Sequence, residues 1–137
     1  MFTYKRKIRL QETDAAGILF FADYFSLFHE AFESFLDAAG IDLAKIIRGN
    51  KYLLPIARAE ADYSAPLFLG DTIEIKLTVE QINKSSFVII SGFIKNNKTS
   101  AAALKTVHVA VDAKTRKKIP LPKVIRDKIS KYHDTHS

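Results

Sequence analysis

No cysteine occurs in the chain, which excludes disulfide bonds, a thiolate nucleophile and cysteine-based metal sites. Long apolar runs are missing as well: none approaches the roughly 18–20 residues that cross a bilayer. The opening segment, MFTYKRKIRL, lacks the apolar block of a secretory leader. A cytoplasmic protein without a membrane span is therefore expected. The chain has no internal repeat, no low-complexity stretch and no linker, so its 137 residues read as a single domain, 1–137. It also lacks a nucleophile elbow, a phosphate loop and a dinucleotide fingerprint. No histidine pair has a carboxylate at zinc-ligand spacing, so neither a metal nor a cofactor is expected. The net charge of +6 (21 Lys and Arg against 15 Asp and Glu) favours anionic partners. Its basic residues are scattered, and no helix-turn-helix pattern accompanies them, so nucleic acid is not the expected partner.

What is present is a chain that is 47 % apolar, organised around residues 11–39. Phe21, Phe25, Phe28, Phe32, Phe35 and Ala39 recur at steps of three and four, one face of a helix from about Ala22 to Ala39. Gly40 supplies its stop. Asp42 can cap a short helix over 43–48. Alternating patterns predict strands over 2–10, 51–64, 72–80, 87–94 and 100–112, the clearest being Ile73, Ile75, Leu77 and Val79. The small residues Ala57, Ala59 and Ala61 leave room for the aromatic helix to approach. Residues 123–132 are expected to form a basic amphipathic helix, and 133–137 to fray. A helix this rich in phenylalanine needs a large apolar partner, since each ring removes roughly 150–250 Å² from water. The expected fold is α+β, a five-stranded antiparallel sheet wrapped around one long helix. Exposed sheet edges predict a homodimer, assembling further to a homotetramer.

Chemistry concentrates in Glu12-Thr13-Asp14-Ala15-Ala16-Gly17. Gly17 lets the backbone come close to a ligand. The helix that follows offers unpaired N–H groups and positive dipole near Phe21. A carboxylate beside such donors suits acyl transfer, with Asp14 as nucleophile or general base and the Phe21 backbone N–H polarising the carbonyl. The plainer alternative is that Asp14 only makes a turn or a cap. Phe20, Phe21, Tyr24 and Phe25 suit either an aryl acyl group or simple packing. His29 reads as a structural hydrogen-bonder and His108 as packed or paired, with His133 and His136 in the frayed end.

The run Gln11 to Tyr24 resembles the signature of hotdog-fold acyl-CoA thioesterases of the 4-hydroxybenzoyl-CoA thioesterase class. The likeness continues through Ala65-Pro66, Gly70-Asp71, Lys84-Ser85-Ser86-Phe87 and His108-Val109-Ala110. Within that class, Phe2-Thr3-Tyr4, His29 to Ser34 and Lys117 to Pro122 are similar to 1,4-dihydroxy-2-naphthoyl-CoA hydrolases. The resemblance implies an acyl-CoA thioesterase whose coenzyme A belongs to the substrate, with Asp14 catalytic, the Phe21 N–H as oxyanion donor and Gly17 beside them. Tyr24 would contact substrate, and Lys84, Ser85 and Ser86 would hold coenzyme A phosphates. An exposed lysine in a turn is the alternative for Lys84. One departure is that many relatives carry His where this chain has Phe21, and Asp23 replaces the usual Asn. A short- or medium-chain acyl-CoA or acyl-carrier-protein thioesterase, or a non-catalytic acyl-binding module, remain rival functions.

Overall fold

The structure, a computed structural model, describes residues 1–133. In chain order the elements are β1 (Phe2–Lys7), α1 (Asp23–Ala39), α2 (Leu43–Gly49), β2 (Tyr52–Leu53), β3 (Ile56–Tyr63), β4 (Thr72–Ile82), β5 (Ser86–Lys95), β6 (Thr99–Val109), β7 (Val111–Asp112) and α3 (Lys123–Ser130). Five strands form one antiparallel sheet in the order β1-β4-β5-β6-β3. This is the expected α+β hotdog fold, a sheet curved round the central helix α1.

The alternation that predicts β4 also sets its inner face. Ile73, Ile75, Leu77 and Val79 are fully buried, and Phe93, Ile89 and Leu104 on neighbouring strands share that side. Against them α1 lays Leu27, Phe28, Ala31 and Phe35, with Phe32 stacked on Phe28 at 5.5 Å. Gly40 ends the helix at φ +81, a left-handed conformation that glycine adopts without a Cβ clash.

The buried face of α1 is rotated from the phenylalanine ladder. Tyr24, Leu27 and Leu36 are inside, Phe25 is half-buried, and Phe21 lies in the turn ahead of the helix, 64 % exposed. The sheet reads the sum of apolar side chains on a face, and counting phenylalanines alone misplaces its centre. The strand expected over 51–64 is broken at Leu54-Pro55. Tyr52–Leu53 pairs with Val111–Asp112 in a separate two-stranded ladder, and the main-sheet strand begins at Ile56. Proline has no N–H to give a ladder, so the break falls there. Likewise β1 ends at Lys7, because the chain then takes a 3-10 turn over Leu10–Glu12.

Ala57 and Ala59 are exposed, not covered by the helix. A helix roughly 10–12 Å across cannot span five strands spaced about 4.8 Å apart. α1 packs Tyr24 on Tyr63 at the end of β3 but leaves Ala57 and Ala59 uncovered. His133 is ordered, contrary to expectation: its ring Nε2 lies 3.1 Å from the Glu80 carbonyl, and its backbone bridges Val79. His136 lies outside the described residues. No helix among the described residues is long and apolar enough to cross a membrane.

Candidate active site

The Asp14 segment is a tight hairpin. The Phe20 N–H donates to the Glu12 carbonyl (3.1 Å), Thr13 bridges Leu19, and the Asp14 N–H donates to Ile18 O (2.9 Å). At its tip the Gly17 N–H donates to Asp14 O (3.0 Å), with Gly17 at φ +76. The Asp14 carboxylate is exposed. Its Oδ1 accepts from the backbone N–H of Ala16 (2.8 Å) and Ile18 (3.2 Å), which fixes the side chain as an Asx turn. No bond to Oδ2 forms among the described residues. Asp14 thus makes the turn that its plainer alternative requires, yet keeps one oxygen available.

Residues 66–71 support the hairpin from below. The Leu19 N–H donates to Leu67 O and the Leu69 N–H to Gly17 O, both at 2.8 Å. Lys95 latches that support: its Nζ lies 4.7 Å above the Phe68 ring, 3.3 Å from an Asp71 carboxylate oxygen and 3.3 Å from Pro66 O.

Beyond the hairpin α1 starts without a side-chain cap. The Asp23 N–H reaches Phe20 O at 2.9 Å, and the Phe21 carbonyl accepts from the Tyr63 hydroxyl at 3.4 Å. No acceptor among the described residues takes the Phe21 N–H. Phe21 stands one residue ahead of Ala22, the N-cap of α1, close to the positive end of the helix dipole. Phe21 lines a surface cavity of about 440 Å³ together with Leu19, Tyr24, Tyr63, Ser64, Ala65 and Pro66. Tyr24 is buried between the rings of Tyr63 (4.8 Å) and Phe93 (5.4 Å). That burial, with Tyr63 adding to it, raises its hydroxyl above the usual tyrosine range.

The structure brings Phe21 and Tyr24 together at the cavity and places Asp14 and Gly17 on the adjoining hairpin; Asp14 is outside the cavity lining. Lys84, Ser85 and Ser86 are elsewhere. They occupy the turn at the far end of β4 and β5, about 30 Å from the hairpin end at roughly 3.3 Å per strand residue. The C-terminal segment clamps that turn: Arg126 Nη2 donates to Asn83 O (2.6 Å), and the Leu121 N–H to Lys84 O (2.8 Å). Within one protomer Lys84 and the Asp14 hairpin thus stand near opposite ends of β4.

Sequence patterns alone do not point to Tyr63, nor to a second cavity of about 350 Å³ lined by His29, Phe32, Leu36, Leu43, Leu54, Pro55, Ile56 and His108. His108 is fully buried and both packed and paired. Its ring stacks on Phe87 at 4.8 Å and on Phe32 at 4.6 Å, its Nε2 lies 2.9 Å from Thr106 Oγ1, and its Nδ1 has no hydrogen-bond partner among the described residues. Burial, with His29 as a smaller contribution, lowers its pKa to about 3, so the ring is neutral. The inward alternation of β6 (Leu104, Thr106, His108) was the signal for its burial.

Residues 8–129 match the thioesterase-like superfamily. A 1,4-dihydroxy-2-naphthoyl-CoA hydrolase of Rippkaea orientalis is 42 % identical over 123 residues, covering 88 % of this chain and 89 % of its own. The crystal structure of a 1,4-dihydroxy-2-naphthoyl-CoA thioesterase from Synechocystis superposes with a TM-score of 0.89 at 32 % identity, covering 94 % of this chain and 95 % of that one. A gentisyl-coenzyme A thioesterase superposes with a TM-score of 0.82 at 27 % identity, over 93 % and 98 % of the two chains. With that match across residues 8–129 and these identities, the chain belongs to the thioesterase-like superfamily, as a hotdog-fold acyl-CoA thioesterase closely related to the 1,4-dihydroxy-2-naphthoyl-CoA hydrolases.

Proposed function

We propose that the chain hydrolyses an aryl-CoA thioester, 1,4-dihydroxy-2-naphthoyl-CoA, in the cytoplasm, with Asp14 as the catalytic carboxylate. The observation that carries this is the unpaired Phe21 N–H at an uncapped helix start, immediately after a hairpin whose carboxylate keeps one oxygen free. The thioester carbonyl oxygen accepts from the Phe21 N–H, which stabilises the negative charge that develops there. Asp14 then either attacks the carbonyl carbon, expelling coenzyme A thiolate and leaving an anhydride that water opens, or takes a proton from the attacking water. The relatives named above act on aryl acyl groups, which supports the substrate class.

The site is completed by a second copy. Phe20, Phe21, Tyr63 and Phe68 are all exposed around the helix start, and β3 ends the sheet with an unpaired edge. Antiparallel pairing of two β3 edges sets the Tyr63 end of one against the Ile56 end of the other. The partner's second cavity and its Lys84–Ser86 turn then lie toward this Asp14, where Lys84 can meet coenzyme A phosphates. The outward Ile90, Ile94 and Val107 give two such dimers an apolar surface for a homotetramer.

The test is turnover of a panel of aryl- and fatty acyl-CoA thioesters by wild type and Asp14→Asn. The expected result is aryl preference and a loss of about 10²–10⁴-fold in the variant. An Asp14→Asn enzyme as fast as wild type refutes the assignment, and strong preference for medium-chain acyl-CoA refutes the substrate class. Single turnover in isotopically labelled water separates the two mechanisms: label in Asp14 marks the anhydride, label only in product marks the general base.

A further inference from the structure

The inner face of β1 carries a charge where an apolar residue would pack more cheaply. Phe2, Tyr4 and Arg6 all point inward, and the Arg6 side chain is only 4 % exposed. Every nitrogen of its guanidinium is engaged. Nη2 donates to both Glu12 oxygens at 2.6 Å, Nη1 to Glu30 Oε2, and Nε to the Lys7 carbonyl at 3.0 Å. Glu12 Oε1 also accepts the Arg9 N–H (2.8 Å), and Glu30 Oε1 accepts the Tyr4 hydroxyl (2.9 Å). Burying the guanidinium costs desolvation that a well-packed apolar residue avoids, so its contribution is sought in geometry more than in stability.

The geometry is specific. Glu12 is the base of the Asp14 hairpin, since its carbonyl receives the Phe20 N–H, one residue before the free Phe21 donor. Glu30 sits two turns into α1. Arg6 is thus the side chain that ties the hairpin to the helix, bracing it from β1. Asp14 lies on that hairpin and Phe21 in the turn that joins it to the helix, so the brace bears on how the two are placed.

We propose that Arg6 is a positioning residue for thioester hydrolysis, holding the Asp14 hairpin against α1 through Glu12 and Glu30. It touches no substrate, and its effect rests on Asp14 being the catalytic carboxylate proposed above. A lysine in its place keeps the charge but loses the planar fork that holds two carboxylates at fixed angles. A misplacement of about 1 Å can cost roughly 10²-fold in rate.

The experiment is steady-state kinetics per folded active site on an aryl-CoA thioester for wild type, Arg6→Lys, Asp14→Asn and the double variant. Arg6→Lys should lower kcat by about 10- to 100-fold with KM within about threefold. In the Asp14→Asn background the same change should leave the residual rate within about twofold, because Arg6 acts through Asp14. A general packing role would lower both backgrounds alike, and that outcome overturns the proposal, as does an Arg6→Lys kcat within twofold of wild type while Asp14→Asn is inactive. If Asp14→Asn retains full activity, the catalytic assignment has failed, and the positional one with it. Should Arg6→Lys not fold, Glu30→Gln removes only one arm of the fork, and the same split between kcat and KM decides the matter.

Discussion

Acid should destabilise this protein through His108, by an amount that the structure sets. The ring is enclosed between Phe32 and Phe87, and burial lowers its pKa from 6.5 to about 3. In the folded protein the imidazole stays neutral down to that value. In the unfolded chain it gains a proton below its ordinary pKa. Between the two values the unfolded state binds more protons, so stability falls as pH falls. The loss is absent above about pH 7.5, reaches about 2 kcal/mol near pH 5 and about 4 kcal/mol near pH 3, from linkage at 1.36 kcal/mol per pKa unit. The control is the double variant Thr106→Val/His108→Phe, which keeps a flat ring in the stack and removes the hydroxyl that Nε2 would otherwise leave unpaired. Urea unfolding followed by circular dichroism, at one protein concentration and at about pH 7.5 and pH 5, gives the difference; other groups are common to both proteins and cancel. Wild type should lose about 2 kcal/mol more than the variant. Equal losses, or a His108 imidazole resonance titrating near its ordinary pKa, would refute the reasoning.

Two further expectations concern the site. At Gly17 a Cβ meets nothing within 4 Å, so Gly17→Ala costs only backbone strain at φ +76, about 1 kcal/mol. It should leave the melting temperature within a few degrees while lowering kcat, and unchanged kcat would show that the hairpin tip is not near the chemistry. If each site joins one chain's Asp14 to its partner's Lys84, then mixing inactive Asp14→Asn with a Lys84→Glu variant that no longer saturates should recover about one quarter of wild-type activity, because half the dimers are mixed and each has one intact site. No recovery after subunit exchange would place both residues' roles on the same chain or dismiss one of them.

Much of the scaffold can be read from local rules. The alternation of β4 marks its buried face directly, and Gly40 marks the end of α1 because the chain there needs a positive φ. Asp14 stands out through its place between a strand, a glycine and a helix start. Other features depend on distances that no local rule holds. Alternation groups Ala57, Ala59 and Ala61 as small residues but cannot say that Ala57 and Ala59 stay exposed while Ala61 packs against the core. It puts Arg6 on the inner face without revealing that Glu12 and Glu30 converge there from other elements. Motif likeness brings Lys84 and Asp14 into one functional list, whereas the length of β4 separates them within a chain. Tyr63 carries no motif and enters the site only because β3 ends beside the helix start.

The sheet order has a consequence for how the chain is made. β1 pairs with β4, so Phe2 meets Leu77, 75 positions later, whereas β4, β5 and β6 are consecutive neighbours. Translation at about 5–20 residues per second leaves β1 waiting roughly 4–15 s for its partner strand, and the phenylalanine-rich helix a shorter time. The β4–β5–β6 meander can close by itself through short-range contacts, while both outer strands depend on slow long-range closure. A nascent chain halted before residue 72 would therefore present the helix's apolar face to solvent with nothing to receive it, and is the stage at which ribosome-associated chaperones should engage this protein most strongly.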